Sequence, residues 1–173
     1  TENTAVGASA ADALVGATGA GKWNTALGAS SLGSSVDGTG NTAVGVNAGG
    51  ATTTGHVTAV GYAVLQSNTT GSANVAVGGN DETSAAAMQS NTTGDNNTAM
   101  GVAALKSNTT ADHNTAVGYH ALRLNTTGTA NAALGAFAAD AITTGDNNTA
   151  VGYNSLTVAT TGDGNTAIGH QAL

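Results

Sequence analysis

A repeat of about 17 residues runs through almost the whole chain and constrains its fold more than any other feature. The string Asn-Thr-Ala-Val-Gly recurs in ten near copies, most of which begin 17 residues apart. The copies begin at Asn3, Asn24, Asn41, Val57, Asn74, Asn97, Asn114, Asn131, Asn148 and Asn165. A unit this short buries too little surface to fold alone, so such repeats stack on their neighbours. We therefore predict a single repeat domain over residues 1–173, with an irregular N-terminal coil at 8–23 and a loop insertion at 79–86.

Each position of the repeat has its own composition, and the pattern favours strands. We number these positions as columns, from column 1 at the first Asn, and call one copy a coil. Column 3 is Ala and column 5 is Gly in all ten coils, while column 4 is always Val, Leu, Met or Ile. Gly in every copy argues against a helix, and Asn-Thr-Thr-Gly supplies turn residues. The repeat predicts an all-β fold: a parallel β-solenoid of about ten 17-residue coils, stacked about 4.8 Å apart.

The alternation of side chains along a strand divides the repeat into two faces. Columns 2 and 4 share one face, and columns 3 and 5 share the other. We predict that column 4 and the Leu of column 9 form the core, represented by Val44, Val60, Val77, Val117, Leu122, Val151 and Ile168. A face of Ala and Gly suits close approach by another backbone. We predict that this face packs against neighbouring chains in a side-by-side homo-oligomer, through Ala43, Gly45, Ala99, Gly101, Ala116, Gly118, Ala150 and Gly152.

Composition narrows the classes of function. Three basic residues stand against ten acidic ones, and the net charge of −7 argues against a nucleic-acid partner. No apolar run approaches the ~20 residues of a membrane span, and the chain has no Cys for disulfides. The four His residues occupy different columns, without the spacing of metal ligands. We expect no enzymatic activity, no cofactor and no metal.

The strongest copies of the repeat point to a known pattern. Asn-Thr-Ala-Val-Gly followed by Tyr-x-Ala-Leu resembles the head repeat of YadA-like trimeric autotransporter adhesins. Ala150-Val151-Gly152 and Ala167-Ile168-Gly169 match the Ala-Ile-Gly core of that motif. The resemblance implies a left-handed β-roll, three chains to a rod, and a location outside the cell or on its surface. Similar repeats occur in phage tail fibres.

These observations lead to one expected function and two alternatives. We expect an extracellular structural fibre or adhesin-type rod. Its copies would associate side by side and would also stack end to end into a filament. Its other partner would be a host-surface or polysaccharide receptor. The first alternative is a receptor-binding segment of a phage tail fibre, carried on a virion. The second is an ice- or glycan-binding solenoid.

Several smaller features suggest surface sites. Six Asn-x-Thr triplets are candidate glycan acceptors, at Asn68, Asn91, Asn96, Asn108, Asn125 and Asn147. Paired Thr residues in columns 13 and 14 suggest a hydroxyl array. The insertion at Asn80–Ser84 is a candidate recognition loop. We favour structural roles for the Asn residues of column 1 and for the Gly-rich stretch 16–22, which partly matches a phosphate-binding loop. We expect the Asp residues of column 16 to be solvated turn residues rather than a calcium site.

Overall fold

The computed structural model describes residues 2–15, 21–79 and 85–173. Every coil contributes one three-residue strand, and each strand covers columns 2–4. The strands are Thr4–Val6 (β1), Thr25–Leu27 (β2), Thr42–Val44 (β3), Thr58–Val60 (β4), Val75–Val77 (β5), Thr98–Met100 (β6), Thr115–Val117 (β7), Ala132–Leu134 (β8), Thr149–Val151 (β9) and Thr166–Ile168 (β10). A 3-10 helix at Asp12–Val15 is the one helix in the described part of the chain.

The ten strands form a single parallel sheet in chain order, from β1 to β10. Each column lies beside the same column of the next coil, so that Ala99 pairs with Ala116 and Met100 with Val117. The long coil between β5 and β6 keeps this register, because Val77 still pairs with Met100. The prediction of an all-β parallel solenoid with 17-residue coils is confirmed. Residues 8–15, predicted to be irregular, already join the ladder, since Ala11 N–H donates to the Ser31 carbonyl oxygen at 2.8 Å.

Left-handed residues turn each coil after its strand. In the seventh coil, Gly118 has a φ of 139°, His120 of 59° and Leu122 of 49°. A non-glycine residue in this region costs about 1–2 kcal/mol, and hydrogen bonds to the adjacent coils hold it there. Leu122 N–H donates to the Ala138 carbonyl oxygen, and His120 N–H to that of Val102, both at 3.0 Å. Column 5 also requires Gly for space: a Cβ on Gly101 would lie 2.5 Å from the Gly118 carbonyl oxygen.

The core lies inside each coil and is built mainly from columns 3, 8 and 9. Column 3 faces column 9, because a Cβ on Gly49 would lie 3.8 Å from the Ala43 Cβ and 3.1 Å from Leu32 Cδ2. The coil is therefore so narrow that a Leu from one wall leaves room for only a methyl group on the other. The largest apolar side chains that are fully buried are Leu32, Val57, Val64, Leu65, Met88, Leu105, Leu122, Ile142 and Leu156.

This geometry reverses the predicted roles of the two faces. The alanines predicted to pack between chains are 0% exposed within the single chain: Ala43, Ala99, Ala116 and Ala150. The glycines predicted with them lie against the next coil of the same chain: Gly45, Gly101, Gly118 and Gly152. Of the predicted core, only Leu122 is buried. The column-4 residues point outward: Val44, Val60, Val77, Val117 and Val151 are half-buried, and Ile168 is 70% exposed. Small residues are needed inside because the coil is thin, and no second chain is required to explain them.

Candidate functional site

The Asn residues of column 1 form a hydrogen-bonded ladder inside the solenoid. Asn114 Oδ1 accepts from Asn131 N–H at 2.9 Å, and Asn131 Oδ1 accepts from Asn148 N–H at 2.9 Å. Most of the side-chain amides also donate to a column-15 carbonyl, as Asn114 Nδ2 does to Gly128 at 2.9 Å. Because both ends of these amides have partners in the chain, the ladder is structural, as predicted.

A second Asn ladder occupies column 12 and removes four candidate glycan acceptors. Asn68, Asn91, Asn108 and Asn125 are 0% exposed. Asn108 Nδ2 donates to Asn91 Oδ1 at 2.7 Å and to the Ala111 carbonyl oxygen at 3.0 Å. A glycan on these amides would have no space, so the prediction is wrong at these four positions. Asn96 and Asn147, in column 17, are exposed and remain candidates.

This second ladder ends at Ile142, which stands where the next Asn would be. The residue before the break, Asn125, donates from Nδ2 to Asn108 Oδ1 at 3.2 Å. Its own Oδ1 is buried and has no hydrogen-bond partner in the described residues. The missing donor is the amide that Ile142 does not supply.

The Asp residues of column 16 bind the backbone of the preceding coil. Asp112 Oδ1 accepts from Asp95 N–H at 2.7 Å, and Asp163 Oδ1 accepts from Asp146 N–H at 2.8 Å. In the described residues, no cluster of three or more His, Cys, Asp or Glu side chains could hold a metal ion. Asp163 is exposed, as expected of a solvated turn residue, whereas Asp95, Asp112 and Asp146 are half-buried.

The two Thr columns differ in what their hydroxyls do. In column 13, Thr109 Oγ1 donates to the Thr126 carbonyl oxygen at 3.1 Å, and Thr126 Oγ1 to that of Thr143 at 3.0 Å. Column 14, represented by Thr110 and Thr127, is exposed. The column-13 hydroxyls are thus bonded to the next coil, and the column-14 threonines form an exposed row of the predicted hydroxyl array.

Two sequence features fall on stretches that the structure does not describe. Residues 16–20 hold most of the partial phosphate-binding-loop match, and 80–84 hold the candidate recognition loop. Both predictions lie outside the described residues.

The outer face of the sheet carries an unbroken apolar row, which we call the column-4 stripe. It consists of Val6, Leu27, Val44, Val60, Val77, Met100, Val117, Leu134, Val151 and Ile168. Nine steps of about 4.8 Å make the stripe about 43 Å long. Columns 2–6, which contain it, carry no Asp, Glu, Lys or Arg in any coil. Within residues 2–15, 21–79 and 85–173, every side chain of the stripe is half-buried or exposed.

Aromatic side chains gather on the last four coils, in a set we call the aromatic strip. It consists of Tyr119, His120, Phe137, Tyr153 and His170. Tyr119 stacks on His120 with centroids 3.9 Å apart, and its edge meets Phe137 at 5.2 Å. Phe137 meets Tyr153 at 6.1 Å, and Tyr153 stacks on His170 at 5.4 Å. Tyr119 and Tyr153 thus contact rings of the adjacent coils.

Charged residues lie beside the aromatic strip in column 10. Lys106, Arg123 and Asp140 occupy this column in three successive coils. Arg123 Nη2 lies 3.7 Å from Asp140 Oδ2. Burial lowers the pKa of His120 below its ordinary value, and the charge of Arg123 lowers it further. The lowered pKa reduces the positive charge that His120 carries near neutral pH, so the positive charge of this patch comes mainly from Lys106 and Arg123.

At the other end of the solenoid, columns 7 and 10 border a polar cleft. Its volume is about 370 Å³, and its lining includes Ser9, Ser30 and Asn47 of column 7 and Asp12 and Gln66 of column 10. Small residues leave this cleft open, whereas His120, Phe137 and Arg123 occupy the corresponding columns farther along.

In residues 2–15, 21–79 and 85–173, no helix is long and apolar enough to cross a lipid bilayer. Comparison with protein-family models, with curated proteins and with solved structures finds no match for this chain.

Proposed function

We propose that the chain is a non-enzymatic structural rod segment that associates side by side with copies of itself through the column-4 stripe. The observation that carries this proposal is the uncovered apolar face of a parallel sheet. Parallel sheets are nearly always covered on both faces. The core of the coil covers the inner face of this sheet, whereas the stripe on the outer face stays half-buried or exposed in the part of the chain that the structure describes.

The chemistry of the outer face favours a second copy as its partner. Columns 2–5 consist of Thr, Val, Leu, Ile, Met, Ala and Gly and carry no formal charge. An apolar face without charged residues at its edges is well suited to association and poorly suited to remain in water. Because each column repeats along the axis, two parallel copies present matching rows to each other.

The face has the size of a small interface. Columns 2–5 span about 10 Å across the stripe, which with its length gives a flat footprint of about 430 Å², and column 6 with its Tyr residues lies outside it. A stable interface takes about 800 Å² from each partner, and a surface roughened by side chains exceeds its flat footprint. The resemblance to trimeric adhesin heads suggests three chains, each with its stripe turned toward a common axis. Such a rod provides reach and stiffness outside the cell or on a virion.

A charge placed in the stripe tests the proposal. Val117→Asp puts a carboxylate in the stripe, and Thr127→Asp puts the same charge on an exposed turn of the same coil. We expect sedimentation equilibrium to give a multiple of 16.4 kDa for the unmodified chain. Thr127→Asp should keep that mass, and Val117→Asp should reduce it to one chain. A monomeric unmodified chain at tens of micromolar would refute the proposal, as would a Val117→Asp variant with undiminished mass.

A further inference from the structure

The aromatic strip is unusual for a chain with so few aromatic residues. The whole sequence holds five of them, three Tyr, one Phe and one Trp. Three of the five, Tyr119, Phe137 and Tyr153, lie in three successive coils with ring centroids 5.2 Å and 6.1 Å apart. The imidazoles of His120 and His170 extend the set at both Tyr residues.

The fold does not require these rings. Tyr119 and Tyr153 occupy column 6, where other coils carry Ala8, Ala29 and Ala136 without loss of register. Both Tyr side chains are 48% exposed, so they contribute little to the core. Rings that are exposed, clustered and dispensable for folding indicate a surface for recognition.

The backbone under the strip is rigid, which lowers the entropic cost of binding. Phe137 N–H donates to the Tyr119 carbonyl oxygen at 2.8 Å, and Gln171 N–H donates to that of Tyr153 at 2.9 Å. The ladder thus fixes the Cα positions of successive rings. A ligand that stacks on them orders few additional groups.

Two of the chain's three basic residues stand in column 10, three columns beyond that of His120. Lys106 and Arg123 stand in column 10 of adjacent coils, and Arg123 Nη2 reaches Asp140 only at 3.7 Å, longer than a hydrogen bond. Arg123 Nε is buried without a hydrogen-bond partner in the described residues. One carboxylate against two cations leaves the patch with a positive charge, in a chain whose net charge is −7.

We propose that the aromatic strip, together with Lys106 and Arg123, binds a saccharide that carries a carboxylate group. The C–H face of a pyranose ring packs on the electron-rich face of an aromatic ring, which Tyr119 and Tyr153 expose. A guanidinium group recognises a carboxylate through two parallel N–H donors, which Arg123 can supply. The rings recur once per coil, so a linear saccharide lies along the solenoid axis. Dense polyanions such as nucleic acid are disfavoured because the remainder of the chain repels them.

The test uses the intact chain and two defined probes. The first probe is a tetramer of galacturonic acid, and the second is the neutral galactose tetramer with the same linkage. We expect calorimetry to show saturable binding of the acidic probe, with weaker binding of the neutral one. Because a charge-assisted hydrogen bond is worth about 1.5–3 kcal/mol, the preference should be about tenfold or more. Added salt should reduce it.

Three variants separate the roles of the residues. Tyr119→Ala should weaken binding of both probes, by up to about tenfold. Arg123→Gln should weaken only the acidic probe and bring the two affinities together. Tyr62→Ala is the matched control: Tyr62 is also in column 6 and exposed, and its neighbour in column 7 is Ala63 rather than a ring. It should change both affinities less than twofold.

Several outcomes would overturn the saccharide site, and each is distinct from failure of the rod proposal. One is the absence of saturable binding of either probe at probe concentrations up to about 10 mM, which is weaker than the millimolar range of weak specific binding. Another is an Arg123→Gln variant that keeps the acid preference. A third is a Tyr119→Ala variant that lowers the mass in sedimentation while both probes bind unchanged, because the strip would then belong to the contact between copies. The site does not rest on self-association, so a monomeric chain that binds the acidic probe would support it.

Discussion

Replacing Asn114 by Ala tests the hydrogen-bonded ladder that holds successive coils in register. Asn114 is fully buried, its Oδ1 accepts from Asn131 N–H at 2.9 Å, and its Nδ2 donates to the Gly128 carbonyl oxygen at 2.9 Å. The Gly128 oxygen keeps a second donor, Asn125 Nδ2 at 2.9 Å. The variant therefore leaves one orphan, the amide of Asn131, which is itself 2% exposed.

The expected loss of stability follows from this count. A buried donor without a partner costs about 1–3 kcal/mol, and the lost hydrogen bond to Gly128 is worth about 1 kcal/mol. We expect Asn114→Ala to lower the free energy of unfolding by about 2–4 kcal/mol. Urea denaturation followed by far-ultraviolet circular dichroism measures this loss. All proteins should be compared at one concentration, because self-association would raise apparent stability.

Thr115→Ala provides the control in the adjacent column. Thr115 is exposed, and the next coil already carries Ala132 at the same position. The control should lie within about 0.5 kcal/mol of the unmodified chain. A loss below that value for Asn114→Ala, or an equal loss for both variants, would refute the reasoning that the buried amides stabilise the stack.

Three further predictions concern the core, the two faces and pH. Ile142→Ala should lower the free energy of unfolding by about 2–5 kcal/mol. Ile142→Asn should lower it less, because the new amide supplies the donor that Asn125 Oδ1 lacks. Equal losses for the two variants in urea denaturation would contradict this. Ala116→Leu should cost at least about 1–3 kcal/mol through overpacking, whereas Val117→Leu should be nearly neutral in thermal unfolding; the reverse order would place column 4 inside. Because the pKa of His120 is lowered in the folded state, mainly by burial, unfolding takes up a proton, and stability should fall as pH decreases through 6.5 and the folded pKa. NMR titration should give His120 a midpoint below 6.5, and replacement by Asn should remove its share of the pH dependence; a midpoint above 6.5 would show that the sign is wrong.

The architecture was predictable because a fixed period dictates stacking. Ten copies of one motif at a nearly constant spacing bring identical columns together, and the observed pairing of Ala99 with Ala116 follows from that spacing. The column-1 ladder was predictable for the same reason, since equivalent Asn side chains must meet in successive coils. Register is a property of the repeat, so no tertiary information was needed to derive it.

The direction of the two faces was not predictable from alternation alone. Alternation groups columns that share a face, but it does not say which face points inward. The small volume of Ala116 fits a thin core as well as a close contact between chains. The Asn ladder held the missing signal: columns 1 and 3 share a face, so the buried Asn114 places Ala116 inside as well.

The aromatic strip required the structure because it joins residues of different columns. Tyr119 is in column 6 and Phe137 is in column 7 of the next coil, and their rings are in contact. The backbone at Phe137 is left-handed, with a φ of 58°, so it does not follow the alternation of a strand. Strand alternation does not describe residues beyond the strand. The recurrence of aromatic residues in these two columns over the last four coils was the available sequence signal.

The central claim is that a second copy covers the outer face of the sheet, and thiol labelling tests it most directly. The chain has no Cys, so Val117→Cys and Thr127→Cys each introduce a single reactive site. Under reducing conditions, a maleimide reagent should modify Cys at 117 much more slowly than Cys at 127. The difference should shrink when dilution or mild denaturant separates the copies. Equal labelling rates at the two positions at every protein concentration would contradict the account.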